Sequence, residues 1–568
     1  MQSDSFDVVI VGSGAGGMTA AIRAHDLGLS VLMIEKTAAY GGTSATSGGG
    51  LWIPCNHLME GVGVPDDRED ALAYMRSLVG NDVPDANVVA FVDSGHEMLR
   101  WLHETTDVRY IAMPHYADYY QEQPGARAGA RSIDPLPYDA RRLGADFANM
   151  QAQHRQVRVM GLIGYTNSEG AVLLSKAPGW RKVVASLVWR YVTDLGGRIR
   201  SMRSRRLTMG NALTGGLRKA MLDRDIPLWL NTPARELLAE NGEVQGVIVE
   251  RGDTSMRIHA RCGVILASGG FEHNQALREQ HLPQPTDESW SAASPANRGD
   301  MLHAAQAIGA STSLLDEAWW SPTITLPGED RARALFTERS MPGAIVVNQA
   351  GHRFFNESTG YTAAAQAMFA PGNLPAYMIF DARYRREYPF GPLLPGGMRL
   401  DWMQKRSVRN GLLAQAQSIA DLARKLKLDP DALNATVERF NGFAQTGADA
   451  DFRRGENSYD LIYGDVRVSP NPCLAPILEP PFYGVEIHAG DIGTKGGVAC
   501  DEDARVLDGT GNPIPGLYAV GNVSASVTGR HYPGAGATLG PAMTFAFRAA
   551  NHLHATATGR PNQSEGVS

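Results

Sequence analysis

The stretch Arg530–Thr544 reads RHYPGAGATLGPAMT. Tyr532 carries a phenolic O–H there, and Gly534 and Gly536 leave backbone N–H groups uncovered by side chains. A phenol and an N–H that converge on one point make a workable oxyanion hole for a carbonyl compound. Two other stretches combine aromatic and polar groups. Arg353–Tyr361 reads RFFNESTGY, and within Tyr110–Gly125 the residues Tyr116, Tyr119 and Tyr120 stand beside Asp118. Taken singly, each of these reads as core or surface packing. Metal chemistry finds no support. Cys55, Cys262, Cys473 and Cys500 are scattered and form no C-x-x-C pair, a pattern expected of inert thiols in a reducing compartment.

A second kind of chemistry is written in glycine. Asp7–Val11 (DVVIV) is a short β-branched run of the kind that forms a buried parallel strand. Gly12-Ser13-Gly14-Ala15-Gly16-Gly17 follows, then a helical stretch from Met18 to Leu27, then the apolar strand Val31–Ile34 ending on Glu35. Gly12 permits the tight turn, Gly14 lets backbone approach a pyrophosphate, and Gly17 lets helix pack on strand. The helix N-terminus, with Ala15 and Gly16, turns unpaired N–H groups toward the phosphates. Glu35 can accept from ribose hydroxyls. All parts stand in the order that a dinucleotide site requires.

The residues after Glu35 separate FAD from NAD. Lys36–Gly50 reads KTAAYGGTSATSGGG. Gly42, the hydroxyls of Thr43, Ser44, Thr46 and Ser47, and the run Gly48, Gly49, Gly50 form a second small-residue loop, which can lie against the remaining phosphate and a flavin. An NAD enzyme has no need of it. The loop holds no histidine, so the FAD is expected to be noncovalent. Later segments complete the site: Ala234 in the hairpin region Ile226–Ile248, Ser268 and Gly269 after the buried strand in Val264–Phe271, Gly521 and Asn522 at the end of Ile514–Asn522, and Thr538 and Leu539 beyond Tyr532.

These elements imply an α/β fold, a Rossmann-like FAD-binding domain with an inserted α+β catalytic domain that caps the substrate. Residues 1–277 and 482–568 read as the FAD-binding domain and 278–481 as the insertion. The second boundary falls in the Pro/Asn-rich stretch Ser469–Pro481. In the insertion, Ser407–Phe443 has helical spacing, and Asp429-Pro430-Asp431 supplies a helix start. The 568 residues can bury a large core without disulfides. The net charge of −7 gives no basic footprint for nucleic acid. A strand that begins almost at once leaves no room for a signal peptide, which implies a cytoplasmic location. No run approaches the roughly 18 apolar residues of a membrane-spanning helix.

One stretch departs from the acidic balance. Between Lys176 and Arg206 lie nine Lys/Arg and a single acid, Asp194, interleaved with Trp180, Val184, Leu187, Val188, Trp189 and Val192. A basic amphipathic helix with tryptophans suits an anionic membrane surface, on the cytoplasmic face. An ordinary solvated surface helix or a self-association patch fits the same pattern.

The motifs together carry a resemblance. GGTSATSGGGLWIP (Gly41–Pro54), DYYQEQPGA (Asp118–Ala126), NES-x-x-Y (Asn356–Tyr361), GTKGG (Gly493–Gly497) and GNVSASVTGRHYPGAGATLGPAMTF (Gly521–Phe545) resemble the 3-ketosteroid Δ1-dehydrogenases of the fumarate reductase/succinate dehydrogenase flavoprotein group. The resemblance spans nearly the whole chain, and the YPG-x-G element with GTKGG is its most specific part. It implies FAD-dependent 1,2-desaturation of a 3-ketosteroid. Tyr361 matches the tyrosine that removes the proton from carbon 2, and Tyr119 the one that bonds to that base and relays its proton. Tyr532 and the Gly536 N–H match the pair that holds the carbon-3 carbonyl. Hydride from carbon 1 goes to FAD, and an external acceptor such as a quinone or dye then takes the electrons. The uncharged substrate calls for apolar walls, with Trp52, Ile53, Trp319, Trp320, Phe354, Phe355 and Met543 as candidates.

The region from about 160 to 200 looks longer and more basic than in compact members. GTKGG stands where dicarboxylate reductases carry a histidine motif, which argues against fumarate reduction. Desaturation at carbons 4 and 5 of the same ring and a non-catalytic flavin redox partner remain the alternatives.

Overall fold

The computed structural model describes residues 3–159, 161–199, 202–393, 395 and 406–559. Its first sheet grows from β1 (Ser3–Val11). Val8, Val9 and Ile10 expose no surface, as a strand covered on both faces must. β1 runs parallel to β2 (Val31–Ile34) on one side and to the strand Thr254–Leu266 on the other. The crossover between β1 and β2 is α1 (Ala15–Asp26), whose small residues Ala20, Ala21 and Ala24 are buried. It packs closely on the last helix, Leu539–Thr558.

The strand Thr254–Leu266 is long enough to serve two sets of neighbours. Its first half pairs antiparallel with Glu243–Arg251, which forms a hairpin with Ala234–Glu240. Its second half pairs parallel with Pro513–Ala519. This last pairing carries the chain back, from more than two hundred residues away, to the β1 end of the sheet.

A second, six-stranded sheet is antiparallel: Arg333–Ala334, Ala318–Ile324, Phe482–Thr494, Ala376–Phe380 and Ala344–Val347 in that order, with Ala414–Ala416 also on Phe482–Thr494. The sequence reading grouped residues from 482 onward with the FAD-binding part. Phe482–Thr494 instead sits at the centre of the second sheet, paired on both edges. Its alternation of apolar residues suits either sheet, and alternation sets a face without naming a partner strand.

Helices Ile419–Leu426 and Pro430–Thr446 cover this sheet through Leu422, Leu433, Val437 and Phe440. The expected helix start is present, with the Asp429 side chain accepting from the Asp431 and Ala432 N–H groups and Pro430 in the first turn. The expected continuous helical spacing is broken by the strand Ala414–Ala416.

The two sheets are joined by a buried ion pair. Arg278, on helix Gln275–His281, donates to Asp491 Oδ2 at 2.6 Å, and neither side chain has exposed surface. Ser291 Oγ and the Gly493 N–H complete the aspartate's bonds. Removing one partner of such a pair leaves the other charge unpaired in a low-dielectric interior. Arg278→Met is therefore expected to lower unfolding free energy by about 3–5 kcal/mol, read as a lower denaturant midpoint of the flavin-loaded protein. An unchanged midpoint would remove this pair from the account of how the sheets are joined.

Candidate active site

One cleft of about 1980 Å³ runs between the sheets. Single small-ligand pockets span roughly 300–1000 Å³, so this one has room for a dinucleotide and a second molecule. Every residue that the sequence reading assigned to the cofactor lines it. A Cβ built on Gly14 would project into the cleft, meeting only Ser44 Oγ at 3.4 Å. The open backbone at the N-terminus of α1 thus fits a pyrophosphate.

The neighbouring groups are already oriented. The Ala15 N–H donates to Ser44 Oγ at 3.0 Å, which leaves the serine's own proton to be donated to a phosphate oxygen. Glu35 accepts from the N–H and hydroxyl of both Ser13 and Thr37, so its carboxylate is fixed at the cleft's edge. Thr43 Oγ1 accepts from the Ser294 N–H and from Asn297 Nδ2, which ties the second small-residue loop to the far wall. Lys36 lines the cleft but is ion-paired with Asp300 at 2.5 Å, so it is not a free cation for phosphate. Asn522 Oδ1 accepts from Trp319 Nε1.

Three distant tyrosines meet on the cleft wall. The ring centroids of Tyr119 and Tyr361 are 5.5 Å apart, those of Tyr119 and Tyr532 are 5.4 Å apart, and those of Tyr361 and Tyr532 are 5.1 Å apart. Local structure delivers each one. The Tyr119 N–H donates to the Pro533 carbonyl at 2.9 Å, which joins its loop to the turn that bears Tyr532. Tyr361 opens helix Tyr361–Met368, and a Cβ on Gly360 would lie 3.1 Å from the Tyr119 ring.

Tyr532 stands in the turn that leads to Gly536. The φ of Gly536 is +101°, and a Cβ there would meet the Leu51 carbonyl carbon at 2.4 Å. Only glycine can hold this N–H in place. Trp319 packs edge-on behind Tyr532 at 5.1 Å.

Burial dominates the electrostatics. It pushes Tyr119 and Tyr361 well above the ordinary phenol range, and Tyr532 upward too. The surrounding tyrosines push Tyr119 further the same way. The Tyr119 hydroxyl favours the Tyr361 phenolate while Tyr532 disfavours it, and Thr538, Tyr361 and the Gly536 N–H favour the phenolate of Tyr532. The Gly536 N–H and the Tyr532 hydroxyl therefore address the same region of the cleft. Behind them, Lys495 donates to the His531 carbonyl at 2.6 Å and lies over the Trp319 ring. Burial pulls its ammonium down to about 7, against the attraction of Glu317.

Several sequence expectations change. None of the seven candidate wall residues lines the cleft. Trp52, for example, is wholly buried and donates to Asp118 Oδ1 at 2.8 Å. These large apolar side chains back the wall as core, and the surface facing the cleft is made by Phe336, Tyr459, Ile462 and Leu393 instead. Asp118 faces away from its tyrosine neighbours, clasped by Trp52, Arg131 and the Arg127 N–H.

Tyr459, missed in the sequence, lies 4.5 Å from Tyr119 between ring centroids. Tyr116 and Tyr463 add a hydroxyl pair at 2.9 Å. Nothing in the spacing around Tyr459 or Tyr463 marks them.

Helix Trp180–Thr193 also borders the cleft, through Trp180, Arg181, Val184 and Val188. Of the nine basic residues in this stretch, Lys176, Arg203, Arg205 and Arg206 turn inward onto Glu387, the Phe147 and Met150 carbonyls, Asp194 and Glu169. Arg181, Lys182 and Arg190 are exposed. Arg200 and the Arg198 side chain lie outside what the structure describes.

The chain matches the FAD binding domain family over residues 7–539. It is 42% identical over 571 residues to the 3-oxosteroid 1-dehydrogenase of Mycobacterium tuberculosis, covering 97% of this chain and 99% of that protein. It is 37% identical over 572 residues to a 4-oxocyclohexanecarboxylate 2-dehydrogenase of Sinomonas cyclohexanicum, covering 98% and 94%. The structure of the 3-ketosteroid delta1-dehydrogenase from Sterolibacterium denitrificans in complex with 1,4-androstadiene-3,17-dione is 46% identical and superposes with a TM-score of 0.95, over 97% of this chain and 100% of that one.

The open side of Gly14 yields a test of the cofactor cradle. Gly14→Leu would fill the space left for the pyrophosphate without touching the core. Flavin occupancy, read from the visible absorbance of purified protein, is expected to fall at least about tenfold, equivalent to ~1.4 kcal/mol of binding, with the far-ultraviolet circular dichroism unchanged. Full occupancy in that variant would place the pyrophosphate elsewhere.

Proposed function

The chain belongs to the FAD-binding 3-ketosteroid Δ1-dehydrogenases, and from that premise we propose how its own residues carry out the 1,2-desaturation of a 3-ketosteroid. The observation that carries the reading is the contact of Tyr119, Tyr361 and Tyr532 on one wall, beside the Gly536 N–H. FAD held noncovalently in the cleft supplies the acceptor for the hydride that leaves carbon 1.

The Tyr532 O–H and the Gly536 N–H hold the carbon-3 carbonyl oxygen. Protons beside a ketone are acidic only when the enolate oxygen is stabilised, and two preorganised donors in a dry site do this. Burial keeps Tyr532 protonated, the form in which it donates. Tyr361 takes the proton from carbon 2, and Tyr119 accepts the proton that Tyr361 passes on. Tyr119, Tyr361 and Tyr532 are themselves buried, which limits the water around the developing charge. Electrons then leave to an external acceptor, a quinone or dye.

Two outcomes test this. Tyr361→Phe is expected to retain FAD but to fail to bleach it when mixed anaerobically with a 3-ketosteroid, a mixture in which the parent protein yields the 1,2-unsaturated product. Full bleaching in the variant would displace Tyr361 as the base. A base whose pKa is raised by burial is under-populated as phenolate at neutral pH, its active fraction growing about tenfold per pH unit below that pKa. The turnover number should therefore climb from neutral into alkaline pH. A flat profile would contradict a phenolate base.

We further assign helix Trp180–Thr193 and the segment after it to a membrane surface. Trp189 is 71% exposed and Ile199 87%, with Val192, Leu195 and Met202 also exposed beside Arg181, Lys182 and Arg190. Exposed tryptophan and aliphatic side chains rimmed by cations suit an interface with anionic lipid. The same helix borders the cleft, so a sterol dissolved in lipid would meet its entrance. Among the described residues, no helix is long and apolar enough to cross a membrane. The protein is expected to co-sediment with vesicles containing phosphatidylglycerol, and Trp189→Ser combined with Ile199→Ser to abolish that without loss of turnover on a detergent-solubilised steroid. Equal sedimentation of both proteins would sink the assignment.

A further inference from the structure

Among the described residues, four arginines expose no more than 1% of their surface: Arg131, Arg278, Arg339 and Arg454. Three have carboxylate partners. Arg131 pairs with Asp66 and Asp118, Arg278 with Asp491, and Arg454 with Glu357. Arg339 is the exception. It is 1% exposed and forms no ion pair within 4 Å among the described residues. Its Nη1 donates to the Glu357 carbonyl, while Nε and Nη2 have no hydrogen-bond partner. An uncompensated guanidinium in a dry interior is costly, and such a group calls for a functional explanation.

The surroundings of Arg339 supply one. Its charge is felt most by Tyr459, Arg454, Tyr119 and Asp460. Its charge also favours the phenolates of Tyr459 and Tyr463. Arg454 repels it but is occupied by Glu357 and by backbone carbonyls. Asp460 attracts it from beyond ion-pair distance; its Oδ2 accepts from Asn356 and the Gly455 N–H, its Oδ1 has no hydrogen-bond partner, and burial favours its neutral form. The Tyr119 hydroxyl is a second orphan beside it, a buried phenol with no hydrogen-bond partner. Tyr119 is in ring contact with Tyr361.

We propose that Arg339 is the counter-charge of the proton-accepting tyrosines, holding the proton vacancy of the Tyr119–Tyr459 side of the cluster so that Tyr361 can accept the substrate's proton. This rests on the assignment of Tyr361 as the base. Before reaction the cluster is one proton short, with the negative charge on Tyr119 beside the guanidinium. The Tyr361 O–H proton moves to the Tyr119 oxygen, and Tyr361 takes the proton from carbon 2. The C2–H electron pair becomes the C1–C2 π bond as the hydride leaves carbon 1 for FAD. Arg339 touches no substrate atom in this scheme. It is a positioning residue, acting through Tyr119.

The test is the pH profile of Arg339→Gln and Arg339→Lys, measured on flavin-loaded protein with a 3-ketosteroid. Loss of the positive charge should move the acidic limb of the turnover number to higher pH by at least about one unit, a tenfold loss at neutral pH that is recovered in alkaline buffer. KM should stay within about twofold, less than 0.5 kcal/mol of binding. Arg339→Lys, which keeps the charge, should shift the limb less.

An unshifted limb in Arg339→Gln, or a loss uniform across pH, overturns the proposal. Should Arg339→Gln fail to accumulate with FAD bound, Arg339→Met, which also removes the charge, decides by the same criterion: a shift to higher pH at full flavin content supports the proposal, and a limb identical to the parent's overturns it. Failure of the underlying base assignment looks different, since Tyr361→Phe would then reduce flavin with either residue at 339.

Discussion

The Pro533 carbonyl oxygen is where the active site is tied together. It accepts the backbone N–H of Tyr119 at 2.9 Å and the hydroxyl of Tyr74 at 2.8 Å. The first bond binds an N-terminal loop to the C-terminal turn that bears Tyr532 and Gly536. The second braces that turn against helix Arg68–Val79. Behind the loop, Arg131 bridges Asp66 and Asp118, and Trp52 donates to Asp118. A loop positioned this tightly holds Tyr119 where the Gly360–Tyr361 segment can pack against its ring. Loosening one bond would shift all three tyrosines, and catalytic geometry tolerates little displacement.

The wall they form carries a conflict. Burial raises the cost of every phenolate, which suits Tyr532, whose task is to donate. It opposes Tyr361, whose task is to accept. One environment thus separates two chemically identical side chains by what surrounds them, which is how acid and base roles are divided among like groups. Tyr532 has a glycine N–H and Thr538 around its hydroxyl. Tyr361 has Tyr119, and Tyr119 in turn feels the charge of Arg339, which has no carboxylate partner among the described residues.

The supply of that charge depends on the second sheet. Glu357 is claimed by Arg353 and Arg454, and Asp449 by Arg353, so both acids of that network are already spent. The same network fixes the NES-x-x-Y loop: Asn356 holds Asp460, and Arg454 donates to Ser358. The loop that delivers Tyr361 and the charge placed beside Tyr119 are therefore products of one set of ion pairs. The cleft between the sheets follows from the crossing strand Phe482–Thr494 and the Arg278–Asp491 bond, which hold the substrate side against the cofactor side.

Local chemistry was legible in the sequence where it depends on neighbours in the chain. Gly12 to Glu35 specify a strand, a turn, a helix and an acid, because a phosphate-binding turn needs those residues within one βαβ unit. Asp429-Pro430 likewise names a helix start. The motifs that resemble steroid dehydrogenases singled out Tyr119, Tyr361, Tyr532 and Gly536, and all four line the cleft. What depends on partners far along the chain was not legible. The side on which Phe482–Thr494 pairs, the removal of Trp52 and Trp320 from the cleft wall into the core, the arrival of Tyr459 beside Tyr119, and the solitary charge of Arg339 all follow from packing. A residue's own type says what it can donate, accept or bury, and only the folded chain decides which other groups have already answered it.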